Sequence, residues 1–146
     1  FEFLHPPPRA PRLRRNDASC VLRVASDGGA MLLTGDIERA AEAALVAGTA
    51  RLKSEVLLVP HHGSRSSSGE AFVAAVAPRW AIVPAGYRNR FGHPHAQVLA
   101  RYRAAGAEVV RTDAQGAIHV ALTRHAVSLG TERARVPRYW RRLPRV

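Results

Sequence analysis

The chain has 146 residues, 47% of them hydrophobic, which is enough for one domain with a real core and too few for two comfortable ones. Its 22 basic and 11 acidic side chains leave a formal charge of +11, which favours polyanions such as nucleic acid or an anionic membrane face over basic or neutral partners. The single cysteine, Cys20, excludes an internal disulfide and a thiolate-rich zinc cluster, and no apolar run reaches the ~18 residues of a membrane span. All the basic residues but Lys53 are arginine, so a purely compositional origin of the charge stands beside a functional one. The N-terminus lacks the order of a signal peptide, and the chain is expected to be soluble, with Cys20 a small core residue on a strand.

Phe1 to Arg15 holds Pro6-Pro7-Pro8, Pro11 and four arginines, and residues 1–16 are expected to be an extended connector rather than regular structure. Cys20 to Val24 alternates, Ser26-Asp27-Gly28-Gly29 is turn chemistry, and Met31 to Thr34 is apolar, which together predict a β-hairpin. Ile37, Ala40, Ala41, Ala44 and Leu45 recur at helical spacing, with Gly48 placed to end the helix. Val56 to Val59 reads as a buried strand. Ser67 with Glu70 resembles a capping box opening a helix through Val76, which Pro78 stops. Trp80 to Val83 is a third buried strand, and Pro94 stands as the first-turn proline of a helix that runs through Tyr102 and closes at Gly106. Glu108 to Arg111 and Ile118 to Leu122 are further strands, with Asp113 to Gly116 as the turn between them. The order predicts a layered α/β domain over residues 1–130, a mixed sheet with packed helices. Residues 131–146 hold six arginines and the pair Tyr139-Trp140, and are expected to be an irregular Arg-rich tail docked by its aromatics.

Three places carry chemistry. Met31-Leu-Leu-Thr-Gly-Asp36 brings a carboxylate to a strand end, where it serves as the N-cap of the next helix or as a metal ligand. Val59-Pro60-His61-His62-Gly63-Ser64 brings two imidazoles to the next strand end, and adjacent histidines there are hard to explain as packing. Open α/β sheets bind ligands beyond the carboxyl ends of their strands, so these motifs can converge as half of a metal centre. Side chains alternate along a strand, so only one of His61 and His62 is expected to be a direct ligand unless the chain bends. Ser64 to Ser68 leads into a helix N-terminus that suits a phosphate, or is a plain capping loop. In Arg88-Asn-Arg90-Phe-Gly-His93-Pro-His95, guanidinium groups match phosphate oxygens, an aromatic face takes a base, and His93 can stabilise charge or donate a proton. The bland alternative is a solvated basic turn. His5, His119 and His125 have no ligand-like company.

Leu33-Thr-Gly-Asp36, Val59-Pro-His-His-Gly-Ser64, Phe91-Gly-His-Pro94 and Arg111-Thr-Asp-Ala-Gln-Gly116, in this order and spacing, resemble the C-terminal part of the metallo-β-lactamase-like domain of ComEC-type DNA-internalisation competence proteins. Phe3-Leu-His-Pro-Pro7 and Asn16-Asp-Ala-Ser19 fit the same pattern, and the resemblance covers about residues 1 to 123. It implies the C-terminal half of a metallo-β-lactamase-like fold within an extracytoplasmic, periplasmic-side domain of a polytopic inner-membrane protein. That domain would be a two-metal hydrolase, a nuclease using zinc or manganese, that degrades one DNA strand while the other enters the cell.

By the family pattern Asp36 is the carboxylate shared by two ions and a catalytic residue. One of His61 and His62 is a metal ligand, and His93 is an active-site histidine. Ser64, Arg88, Arg90 and His93 are the expected substrate-binding residues. The family's upstream His-x-His-x-Asp-His cluster has no counterpart here, so the two-metal site is expected to be incomplete in this chain and the chain alone inactive. The alternatives are a non-catalytic basic DNA-binding module and a structural extracytoplasmic module. Self-association over an exposed sheet edge is a further expected partner.

Overall fold

The computed structural model describes residues 1–8, 13 and 15–137. Strands β1 (Glu2–His5), β2 (Val21–Ser26) and β3 (Gly29–Leu33) form an antiparallel meander, with the turn at Asp27-Gly28 joining β2 to β3 as predicted. Helix and strand then alternate through α1 (Arg39–Ala47), β4 (Val56–Leu58), α2 (Glu70–Val76), β5 (Trp80–Val83), α3 (Ala96–Ala104) and β6 (Glu108–Arg111). The six strands lie in the sheet in chain order, parallel from β3 to β6. Parallel crossovers are right-handed, so three successive crossovers that step the same way along the sheet place all three helices on one face.

Burial follows that geometry with period two. Leu57, Ala81 and Val83 face the helices and pack with Ala41 and Leu45 of α1, Phe72 and Val76 of α2, and Val98 and Tyr102 of α3. Val56, Trp80 and Ile82 point to the other face. There they meet a second hairpin, β7 (Ile118–Leu122) with β8 (Val127–Thr131), which contributes Ile118, Val120, Val127 and Leu129. All four residues of β5 are buried, as expected of a strand covered on both sides. The molecule is therefore an α/β domain whose mixed sheet carries helices on one side and a small two-stranded sheet on the other. No helix among the described residues is long and apolar enough to cross a membrane.

Several expectations are corrected. The opening segment is not wholly an extended connector, because Glu2–His5 pairs with β2 as an edge strand. Cys20 is exposed, one residue before β2 begins at Val21. Ser67 and Glu70 make no capping box: Gly69 is the N-cap of α2, Ser67 Oγ donates to Pro60 O, and Glu70 is largely exposed. The amides of Ser68 and Gly69 donate instead to the carboxylate of Glu42, which reaches across from α1. Asp36 is not the N-cap of α1, which starts three residues later; that N-terminus is closed by Asp17, whose Oδ1 accepts from Glu38 N at 2.8 Å. Pro94 precedes the N-cap His95 and is not in the first turn of α3. Asp113 lies in a one-turn helix, α4 (Thr112–Gln115), and Thr131 to Arg135 belongs to β8 and a short helix α5 (Glu132–Arg135) rather than an irregular tail. Tyr139 and Trp140 lie outside the described residues.

Candidate functional site

The three motifs leave the carboxyl ends of β3, β4 and β5, which are neighbours in the sheet, so topology alone brings them to one edge. Hydrogen bonds then hold them together. Thr34 Oγ1 donates to Leu58 O at 2.7 Å, His61 N donates to Gly35 O at 3.1 Å, and His95 N donates to Gly63 O at 2.9 Å. The loop after β5 is fixed from the residue that follows β6, because Thr112 Oγ1, at the start of α4, accepts from Ala85 N and donates to Ala85 O, each at 2.8 Å.

His61 and His62 both adopt left-handed backbone conformations, with φ of 48° and 55°. For non-glycine residues this costs on the order of 1–3 kcal/mol each and persists only where the surroundings impose it. The bend cancels strand alternation, so the two rings need not point apart. His62 Nε2 lies 3.6 Å from Asp36 Oδ1, while His61 Nδ1 lies 3.1 Å from Glu38 Oε1. Gly63 follows in the left-handed region, and a Cβ there would lie 2.7 Å from Pro94 Cβ, so glycine permits the close approach of the third motif.

His62 Nδ1 is 2.7 Å from Pro84 O. A carbonyl can only accept, so Nδ1 carries the proton and the lone pair of the neutral ring sits on Nε2, facing the Asp36 carboxylate. Two acceptors facing each other call for a proton or a metal ion between them, and a ring held by its other nitrogen on a carbonyl is the usual posture of a metal-ligating histidine. Asp36 and His62 thus fit two positions in the donor set of a divalent metal. Among the described residues no group of three or more His, Cys, Asp or Glu side chains is gathered closely enough to hold an ion.

His61 belongs to a different network. Glu38 Oε1 accepts from Ser66 Oγ at 2.7 Å and from Asn16 Nδ2 at 3.2 Å, and Ser66 foremost, with Asn16 and His61, holds the Glu38 carboxyl below its usual range against the pull of burial. The ring of His93 stands 5.7 Å from that of His61 and stacks on Phe91 at 6.2 Å. Burial first, then the neighbouring His61, His62 and His95, holds His93 below the ordinary histidine value. Asn89 clasps the same segment, accepting from His93 N and donating to His93 O.

The structure therefore brings Asp36, His61, His62 and His93 together. Ser64 is turned inward, 9% exposed, with its Oγ 3.0 Å from Ser66 Oγ. The amides ahead of α2 that suggested a phosphate site are already taken by the Glu42 carboxylate. Arg88 and Arg90 lie over the rings of Tyr87 and Phe91, each 5.2 Å from the ring centroid. Sequence reasoning missed Glu38, although Asp36-Ile37-Glu38 alternates polar, buried and polar and so carried a signal for it. It also missed Pro84 O, for which a backbone carbonyl leaves no signal.

No family profile matches the chain. The chain is 42% identical over 146 residues to Competence protein ComA of Neisseria gonorrhoeae, an alignment covering 99% of this chain and 21% of that protein. It is 39% identical over 104 residues to ComE operon protein 3 of Bacillus subtilis, covering 71% and 13%. With Recombination protein 2 of Haemophilus influenzae the identity is 33% over 105 residues, covering 72% and 13%. The chain spans about a fifth or less of the length of these relatives. Competence protein ComA, ComE operon protein 3 and Recombination protein 2 are its homologues, and the chain is similar to one limited segment of such ComEC-type proteins.

Proposed function

We propose that this chain supplies half of a metal-dependent phosphodiesterase site acting on DNA during competence-type uptake, within an extracytoplasmic domain of a membrane protein. The observation that carries the reading is the Asp36–His62 pair, with the proton of His62 pinned on Nδ1 by Pro84 O and Nε2 free toward the carboxylate. Homologues named for competence support the biological setting. Asp36 and His62 would hold a zinc or manganese ion, with further donors and a second ion completing the site in a complete domain. Such a metal, when bound, activates water and offsets charge on phosphoryl oxygens. The chain's own contribution is positional. His61 is steered by Glu38, and His93, kept neutral near pH 7 by its depressed pKa, offers one hydrogen-bond donor and one acceptor beside it. The net charge of +11 raises the local concentration of a polyanion.

Elemental analysis of zinc and manganese after dialysis tests the ligand assignment, with Asp36→Ala alongside. The expected result is metal retained by the parent chain and lost from the variant. Equal metal in both places the donors elsewhere, and none in either removes the support for a residual site on this chain. A second reading, a non-catalytic basic DNA-binding or structural extracytoplasmic module, is favoured by the net charge of +11, which draws a polyanion without any metal. Its mark is DNA affinity that falls steeply with salt and ignores metal.

A further inference from the structure

The loop after β5 exposes two large aromatic rings that contribute nothing to either core. Tyr87 is 73% and Phe91 68% exposed, and each carries a guanidinium, Arg88 and Arg90 respectively, over its ring. The loop is nonetheless clasped. Ala85 is bonded to Thr112, Asn89 bonds back to Gly86 and to His93, and Phe91 stacks on His93 at the edge of the histidine cluster. Exposed apolar surface on a held segment, with cations fixed beside it, calls for a ligand that is flat and apolar at one point and anionic at the next. Nucleotides have that alternation, and every base offers a face whatever its identity. A membrane surface is the rival, but the residues between the two rings are Arg88, Asn89 and Arg90, flanked by Gly86 and Gly92, with no aliphatic side chain to enter lipid.

We infer that Tyr87 and Phe91 are stacking platforms for unpaired bases of a DNA strand whose phosphates lie on Arg88 and Arg90, so that this loop selects single-stranded over duplex DNA. A base inside a duplex is stacked on both faces and cannot reach either ring without being flipped. The inference rests on the proposed reading only in taking DNA as the ligand; it needs neither metal nor cleavage.

The test is binding in EDTA, read by fluorescence anisotropy, of the 146-residue chain to a short oligothymidine, to a fully abasic strand of the same length and to a duplex hairpin. The parent is expected to hold the base-bearing strand about tenfold tighter than the abasic one for each base stacked. Tyr87→Ala with Phe91→Ala removes that difference, Tyr87→Trp with Phe91→Trp keeps it, and Arg88→Gln with Arg90→Gln weakens both strands alike. Equal affinity for the two strands in the parent overturns the inference, as does a difference that survives the double alanine variant. Binding to anionic vesicles that depends on the two aromatics, without discrimination between strands, overturns it in favour of a lipid surface. Discrimination by this chain in EDTA, with no cleavage by a complete domain in excess metal, overturns the phosphodiesterase reading and leaves this one standing; cleavage by the complete domain without discrimination does the reverse.

Discussion

Replacing Asp36 with alanine in a complete domain, where the upstream donors are present, is expected to lower metal-dependent DNA cleavage on the order of a thousandfold while changing DNA affinity by no more than about threefold. The asymmetry follows from where Asp36 sits. Its carboxylate faces His62 Nε2 and makes no bond to the arginine-bearing loop, whose rings and guanidinium groups supply the contacts suited to a strand. Its backbone is held separately, Asp36 N donating to Ser19 Oγ at 3.1 Å, so removing the carboxylate leaves the local chain path intact. Steady-state cleavage assays with metal in excess, paired with binding measured in EDTA, read the two quantities apart. Cleavage that survives in excess metal shows that Asp36 is not a ligand of the reacting centre.

Glu42→Ala is expected to cost about 2–5 kcal/mol of stability, a large part of the 5–15 kcal/mol typical of a domain. Glu42 is 2% exposed and its two oxygens accept from Ser68 N at 2.5 Å and Gly69 N at 2.7 Å. Burial pushes its carboxyl up, against the opposing pull of those two amides. Ser68 is the junction of all three helices: its backbone oxygen accepts from Arg101 of α3 and its Oγ accepts from the buried Tyr102 hydroxyl. Alanine leaves one buried and one half-buried amide without their carboxylate partner at that junction, where Ser68 holds a left-handed conformation, φ 60°. Glutamine, with a single acceptor oxygen, is expected to recover part of the loss. Urea denaturation followed by far-UV circular dichroism measures it, and a change below about 0.5 kcal/mol, the usual effect of surface substitutions, contradicts the junction.

What was legible in the sequence were the features with local causes. Apolar runs such as Val56 to Val59 and Trp80 to Val83 declare buried strands, and alternation with helical spacing between them declares the α/β sheet. Gly35-Asp36 and His61-His62 stand out because polar, ligand-type residues directly follow such runs. The misses share a different cause, since each depends on a partner remote in the chain. Glu2 to His5 shows no alternation, and its four residues make a strand only because β2 lies beside them, while the adjoining prolines argue the other way. Glu42 reads as an ordinary helical residue until α2 arrives within reach, whereas Ser67 and Glu70 have the spacing of a capping box and lose to it. The left-handed turn at His61-His62 is imposed by backbone bonds to Gly35 and from Ser64, and it overrides the alternation that assigned the two rings to opposite faces. The second hairpin is half visible: the apolar pattern of Ile118 to Leu122 declares β7, but nothing local says that it leaves the main sheet to cover the Trp80 face.

Whether Asp36 and His62 form half of a metal site is read most directly by a long-range proton–nitrogen correlation spectrum of the histidine rings before and after adding zinc. His62 is expected to carry its proton on Nδ1, bonded to Pro84 O, and zinc to shift its Nε2 resonance in the parent chain but not in Asp36→Ala. A neutral His62 protonated on Nε2, or a zinc-induced shift that Asp36→Ala leaves unchanged, would contradict the half-site.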